Sequence, residues 1–155
     1  MKNISHHLAA LSLTAWVGSL WAIGYLAVPV LFHAQPDKQL AGMLAGQMFS
    51  SAGYLGLACG LYLLWYHFDR KCESAVCRKL LVVIAAMLAI TLVIQLGLQP
   101  AMADLKAQAL PLDITQSNFY GRFKMLHGIS SILYLIESLL GGFLVIQRAG
   151  KRAVS

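Results

Sequence analysis

Four long stretches of the chain are almost free of charge. From Leu8 to Phe32 no charged residue occurs. A second run extends from about Ser50 to Phe68, a third from Leu80 to Gln99, and a fourth from about Leu126 to Gln147. A helix rises about 1.5 Å per residue, so about 20 apolar residues cross a hydrocarbon core of about 30 Å. Backbone amides in hydrocarbon must be paired within their own segment, which predicts a helix for each run. The pattern predicts an all-α integral membrane protein, one domain over residues 1–155, folded as an antiparallel four-helix bundle with short inner and longer outer connections. Between the first two runs, Asp37 to Phe49 spaces Leu40, Met43, Leu44 and Met48 roughly as a helix does. It is expected to lie at the membrane surface or to extend the second span. The stretch from Ala101 to Arg122, with Pro111, is expected to be an irregular, mobile outer segment.

Composition agrees with this. Apolar residues make up 59% of the 155 and charged residues 12%, with a mean hydropathy of +0.68. Soluble domains are nearer half apolar and a quarter charged. The first run is too long for the apolar core of a signal peptide and has no clear small-residue cleavage site, so it is expected to be retained. The net charge of +6 does not indicate nucleic acid, because Lys and Arg form no basic stripe or aromatic-interleaved groove. They act as a topology signal instead, since Lys and Arg accumulate on the cytoplasmic side. Lys2, Arg70, Lys71, Arg78, Lys79, Arg148, Lys151 and Arg152 fall on one side, and Lys38, Lys106, Arg122 and Lys124 on the other. The richer side carries both termini, so both are expected inside. The expected partner is the lipid bilayer.

The sharpest chemical feature is Glu137, near the middle of the fourth run. A charge there costs roughly 2.5–3.5 kcal/mol on insertion scales, so the side chain should face other helices. His127, Ser130, Ser131, Tyr134, Glu137, Ser138 and Gly141 recur at three- and four-residue intervals; Thr91, Gln95 and Gln99 do the same on the third run. Two such stripes should face each other, with Thr91 near the level of Glu137 and Gln95 nearer Tyr134. They are read either as packing contacts between helices or as the lining of a polar path. Ala52, Gly56 and Gly60 form a small-residue row, as do Gly42 and Gly46, which predicts close packing and leaves a homodimer open. His33, His127 and Met102 are the candidates for a metal, since imidazole and thioether ligands suit copper, and paired histidines suit haem b. No cofactor is otherwise expected. Cys59 is expected to be a packing residue, while Cys72 and Cys77 lie in an inner loop where the cytosol keeps thiols reduced. No P-loop, nucleophile elbow, zincin motif or carboxylate pair occurs, so nothing in the chain announces catalysis. No internal repeat is strong enough to argue inverted halves.

Three segments carry a family resemblance. Gly24 to Phe32 (Gly-Tyr-Leu-Ala-Val-Pro-Val-Leu-Phe), Leu40 to Phe49 and Gly121 to Ser131 with its Leu-His-Gly-x-Ser-Ser element resemble the transmembrane protein 205-like family. The resemblance extends from Leu8 to about Gln147. It implies a four-helix membrane protein, in bacterial members of the cytoplasmic membrane, without an assigned activity. An animal relative's link to resistance against metal-containing drugs suggests export or trafficking by analogy. It also suggests that Pro29 kinks or ends the first span, and that Arg122, His127 and Gln99 form an outer mouth above the polar stripe. The expected function is binding or moving a small solute or cation through the bundle interior, or supporting a membrane partner. A copper- or haem-binding component of a redox system is the alternative.

Overall fold

The protein is all-helical over the residues that this computed structural model describes, 2–69, 75–110 and 112–152, with side chains over 4–68, 76–110 and 112–148. Helix α1 (Lys2–Trp21) passes through a wide π-helical turn (Ala22–Ala27) into α2 (Val28–Ala34). Helix α3 (Lys38–Asp69) is unbroken. Helix α4 (Ala75–Leu92) passes through a second π-helical turn (Val93–Leu98) into α5 (Gln99–Ala109); a 3₁₀ turn (Ile114–Gln116) and α6 (Tyr120–Arg152) follow. These join into four rods long and apolar enough to cross a membrane: Ile4–Ala34, Lys38–Phe68, Val76–Ala109 and Tyr120–Arg148.

The rods run beyond the apolar runs that announced them. The segment Asp37 to Phe49 extends the second rod as one helix. The third continues past Pro100, so the stretch from Ala101 to Arg122 is helical to Ala109, carries a 3₁₀ turn at Ile114–Gln116 and is helical again from Tyr120; Pro111 lies outside the described residues. The reason lies at the ends. Asp37 accepts from the amides of Gln39 (2.9 Å) and Leu40 (3.1 Å), capping α3, while Lys38 Nζ donates to the free carbonyls of Phe32 (2.6 Å) and Gln35 (3.1 Å). Such caps satisfy the groups that a helix terminus leaves open. Asp113 accepts from the amide (2.8 Å) and hydroxyl (2.6 Å) of Thr115, and the hydroxyl bond first, then the amide bond, holds its carboxyl below the usual carboxylate range.

Both π turns precede a proline. Proline has no amide hydrogen, so the carbonyl four residues before it loses its helical donor. In each rod the ladder widens there: Val28 donates to Ile23, and Gln99 to Ile94, five residues back. The two turns and their prolines, Pro29 and Pro100, lie 71 positions apart in the chain. At the same offset, inward-facing Leu13, Trp16, Val17 and Leu20 correspond to Ile84, Met87, Leu88 and Thr91, all buried. The first and third rods therefore repeat one design in the same chain direction. This is a different relation from the inverted halves sought in the sequence. It escapes notice there because it resides in which face is buried, not in residue identity.

The core is a column of Ala9, Leu13, Trp16, Val17, Leu20, Leu63, Tyr66, Ile84, Met87, Leu88 and Leu144. The first rod packs most heavily on the second, and the second on the third. Outside, Leu11, Leu26, Leu61, Val82, Leu96, Ile132, Leu139 and Ile146 are exposed, an apolar surface suited to lipid. At one end Arg148 donates to the carbonyls of Ala9 (3.0 Å) and His6 (3.1 Å), and the Tyr62 hydroxyl to that of Ser5 (3.4 Å). Cys77 is disulfide-bonded, in contrast to the reduced thiol expected there; Cys72 lies outside the described residues. Cys59 is free and half-buried.

Trp16, 1% exposed, fills the notches left by Gly56 and Gly60, where an added Cβ would come within 2.5 Å and 2.7 Å of its ring. Trp16→Ala should lower stability by about 3–5 kcal/mol, as emptying a large core site does. Unfolding of the detergent-solubilised chain measures it; a loss under about 1 kcal/mol would mean that the notch is not filled this way.

Candidate functional site

The midpoints of the four rods fall at Ser19, Gly53, the Leu92–Val93 bond and Tyr134. At that depth lies the buried polar layer. Glu137 is 2% exposed, beside Thr91 (4%), Gln95 (6%) and Ser138 (4%). The Thr91 hydroxyl is 2.7 Å from Glu137 Oε1 and 2.9 Å from the carbonyl oxygen of Met87. The Trp16 indole is a second hydrogen-bonding neighbour of the carboxyl. A threonine hydroxyl has one hydrogen to give. The hydroxyl either shares its hydrogen between the two oxygens or gives it to the Met87 carbonyl and accepts one from the carboxyl. No cationic side chain pairs with Glu137 among the described residues.

Tyr134 and Gln95 complete the layer on either side. The Tyr134 hydroxyl donates to the carbonyl of Leu20, the oxygen that the Gly24 amide would take in an undisturbed helix. That amide instead lies beside the tyrosine oxygen. A side chain inserted into the ladder in this way is a recognised cause of helix distortion, and the first π turn starts two residues before Gly24. Gln95 sits over Gly53 and donates to the carbonyl (2.9 Å) and hydroxyl (3.0 Å) of Ser50 in the second rod. Trp21 Nε1 donates to the Ser138 carbonyl (3.4 Å), and Ser138 Oγ is buried without a partner among the described residues. Ser130 is half-buried; Ser131 is exposed and donates to the carbonyl of His127 in its own helix.

The outer candidates lie apart from this layer. Arg122 and His127 are exposed, His127 stacked on Phe123 at 5.9 Å, and Gln99 is half-buried. His33 is exposed, whereas Met102 turns inward at 8% exposure. Among the described residues no group of three His, Cys, Asp or Glu side chains is arranged to hold a metal. An added Cβ at Gly42 would make ordinary contact with Lys106, and at Gly46 it would meet nothing within 4 Å. The residues that sequence reasoning overlooked are Trp16, Ser50 and Lys106. Lys106 Nζ donates to the Gly42 carbonyl (3.1 Å) and lies 5.3 Å from the centre of the Phe123 ring, joining the second, third and fourth rods. Trp16 was detectable as the large side chain that the row Ala52, Gly56, Gly60 requires opposite it.

This is an all-helical domain of membrane type whose few interior polar groups are gathered at mid-depth. The chain belongs to the family described as Domain of unknown function (DUF4149), which matches residues 11–111. The match covers the first three rods, with Thr91 and Gln95, and ends before Tyr134 and Glu137. Comparison with curated proteins and with solved structures returns no match.

A Cβ at Gly24 would come within 2.4 Å of the Tyr134 ring, which is rigid. Gly24→Ala should destabilise the protein by about 1–3 kcal/mol, the usual cost of overpacking, and by much less when Tyr134→Leu is already present. Non-additivity of that kind is the signature of direct contact; equal effects in both backgrounds would place the two residues apart.

Proposed function

We propose that the chain is a multi-pass protein of the bacterial cytoplasmic membrane, an antiparallel four-helix bundle with both termini in the cytoplasm, that binds or moves a small cation through its mid-depth polar layer. Glu137 is the central group. The observation that carries this reading is a carboxyl 2% exposed at the middle of the rods, with hydrogen-bond partners but no counter-charge among the described residues. An ionisable group in that position is costly and by default marks an ion or proton site. The motifs from Gly24 to Phe32 and from Gly121 to Ser131 support placing the chain with the transmembrane protein 205-like group.

The copper or haem b alternative has less support, since His33 and His127 are both exposed. The role of a support for another membrane protein rests on the same tight packing as the cation reading and lacks an observation of its own. Arg122, His127 and Gln99 are assigned to the outer mouth on position.

In proteoliposomes holding a pH-sensitive dye, the parent protein should dissipate an imposed proton gradient faster than empty vesicles do, and Glu137→Gln should return the rate to that of empty vesicles. His127→Ala should lower the rate while leaving the fold intact. A parent that moves neither protons nor sodium, potassium or copper ions, or a Glu137→Gln variant equal to it, would remove the cation reading.

The orientation follows from the eight-against-four distribution of Lys and Arg. A fluorescent protein fused after Ser155 should mature and fluoresce, and an alkaline phosphatase fusion there should be inactive. The opposite fusion results would invert the topology.

A further inference from the structure

The second rod carries polar side chains that nothing among the described residues accounts for. Gln47 and Ser51 are exposed, one turn apart, and neither hydrogen-bonds to any described residue. Counted from the rod's midpoint at Gly53, Ser51 lies about 3 Å and Gln47 about 9 Å along the axis, inside a hydrocarbon core that extends about 15 Å either way. At this depth Gln95 has Ser50, and Gln99, which also makes no hydrogen bond to a described residue, is half-buried rather than exposed. Gln47 also borders a groove of about 450 Å³ between the first two rods, whose other walls are Ile23, Leu31, Leu44, Met48 and Ser51.

We infer that this face of the second rod is the interface with a second copy of the chain, with Gln47 paired to the Gln47 of that copy. An acyl chain against the groove would cover Leu44 and Met48 and leave the amide unpaired, which hydrocarbon penalises. A carboxamide both donates and accepts, so two of them facing across a two-fold axis satisfy each other without any third group. Copies inserted the same way round hold each residue at the depth of its own counterpart. Depth matching, which a different partner would have to achieve by its own sequence, is automatic here. The groove then receives the apolar side chains flanking Gln47, as small and polar contacts let membrane helices approach.

The test is photo-crosslinking of the full chain in native membranes, with a benzophenone amino acid placed at Ser51 and, as control, at Leu139, which is 67% exposed on the fourth rod. The Ser51 probe should give an adduct of two copies and the Leu139 probe should not. Gln47→Leu, which keeps the bulk and removes the amide, should lower the adduct by about tenfold, the effect of losing a pair of interhelical hydrogen bonds. Gln47→Asn should retain most of it. Adducts from Ser51 with lipid alone or with another protein would overturn the inference. So would equal two-copy adducts from both probes, or a Gln47→Leu yield equal to that of the parent. None of these outcomes depends on Glu137, so the cation reading can stand or fall separately.

Discussion

Oil has no hydrogen bonds to offer, and that one constraint organises this molecule. A polar group carried to the middle of a membrane rod must find its partner in protein, because no water competes for it and none relieves it. The chain places Thr91, Gln95, Tyr134 and Glu137 at nearly one depth and turns all four between the rods. Each then bridges two rods: Thr91 and Glu137 the third and fourth, Gln95 the third and second, Tyr134 the fourth and first. The layer is thus a belt, and every rod is tied into it.

A belt of large polar side chains needs room, and the glycines provide it. Gly24 lies under Tyr134, Gly53 under Gln95, and Gly56 and Gly60 under Trp16. In a membrane there is little hydrophobic gain from bringing one apolar helix onto another, so association rests on close packing and interhelical hydrogen bonds. Here the two coincide, since the side chain that makes the bond is also the one that fills the notch. The π turns belong to the same arrangement. Pro29 and Pro100 each remove a ladder bond, and the widened turn that compensates contains Gly24 in one rod and Gln95 in the other. Wide turns of this kind recur where helices carry function.

Much of this was legible in the chain. Long uncharged runs announce rods, and Glu137, too costly to face lipid, announces the side of the fourth rod that turns inward. The level of Thr91 against Glu137 followed from counting residues along the two rods. Other features were hidden for definite reasons. The rods overshoot their apolar runs because caps such as Asp37 and Lys38 stabilise helix ends whatever the hydropathy. The bond from Gln95 to Ser50 was hidden because a glutamine can reach across to whichever neighbour leaves a notch, and Gly53 leaves it. His127 and Ser131 share a sequence period with Glu137 and yet face outward; a periodicity of three and four spans too wide an arc to separate the buried edge of a stripe from its exposed one. The Lys106 bridge was hidden because an isolated lysine at a predicted loop reads as a topology mark.

The distinction between a belt that only holds and a belt that also works turns on Thr91. If hydrogen bonding between rods were all that the site required, a neutral amide or hydroxyl at position 137 would supply it without the penalty a carboxyl incurs whenever it ionises. A carboxyl differs from those in one respect alone, that it can lose a hydrogen. With the hydrogen in place, Glu137, Thr91 and the Met87 carbonyl form one continuous chain of bonds. Once it is gone, Thr91 has one hydrogen for the carboxylate and the Met87 carbonyl together, and the charge that remains has no cation among the described residues to face. On the proposed cation reading, that difference between the two protonation states is what would couple a proton to the packing of the four rods.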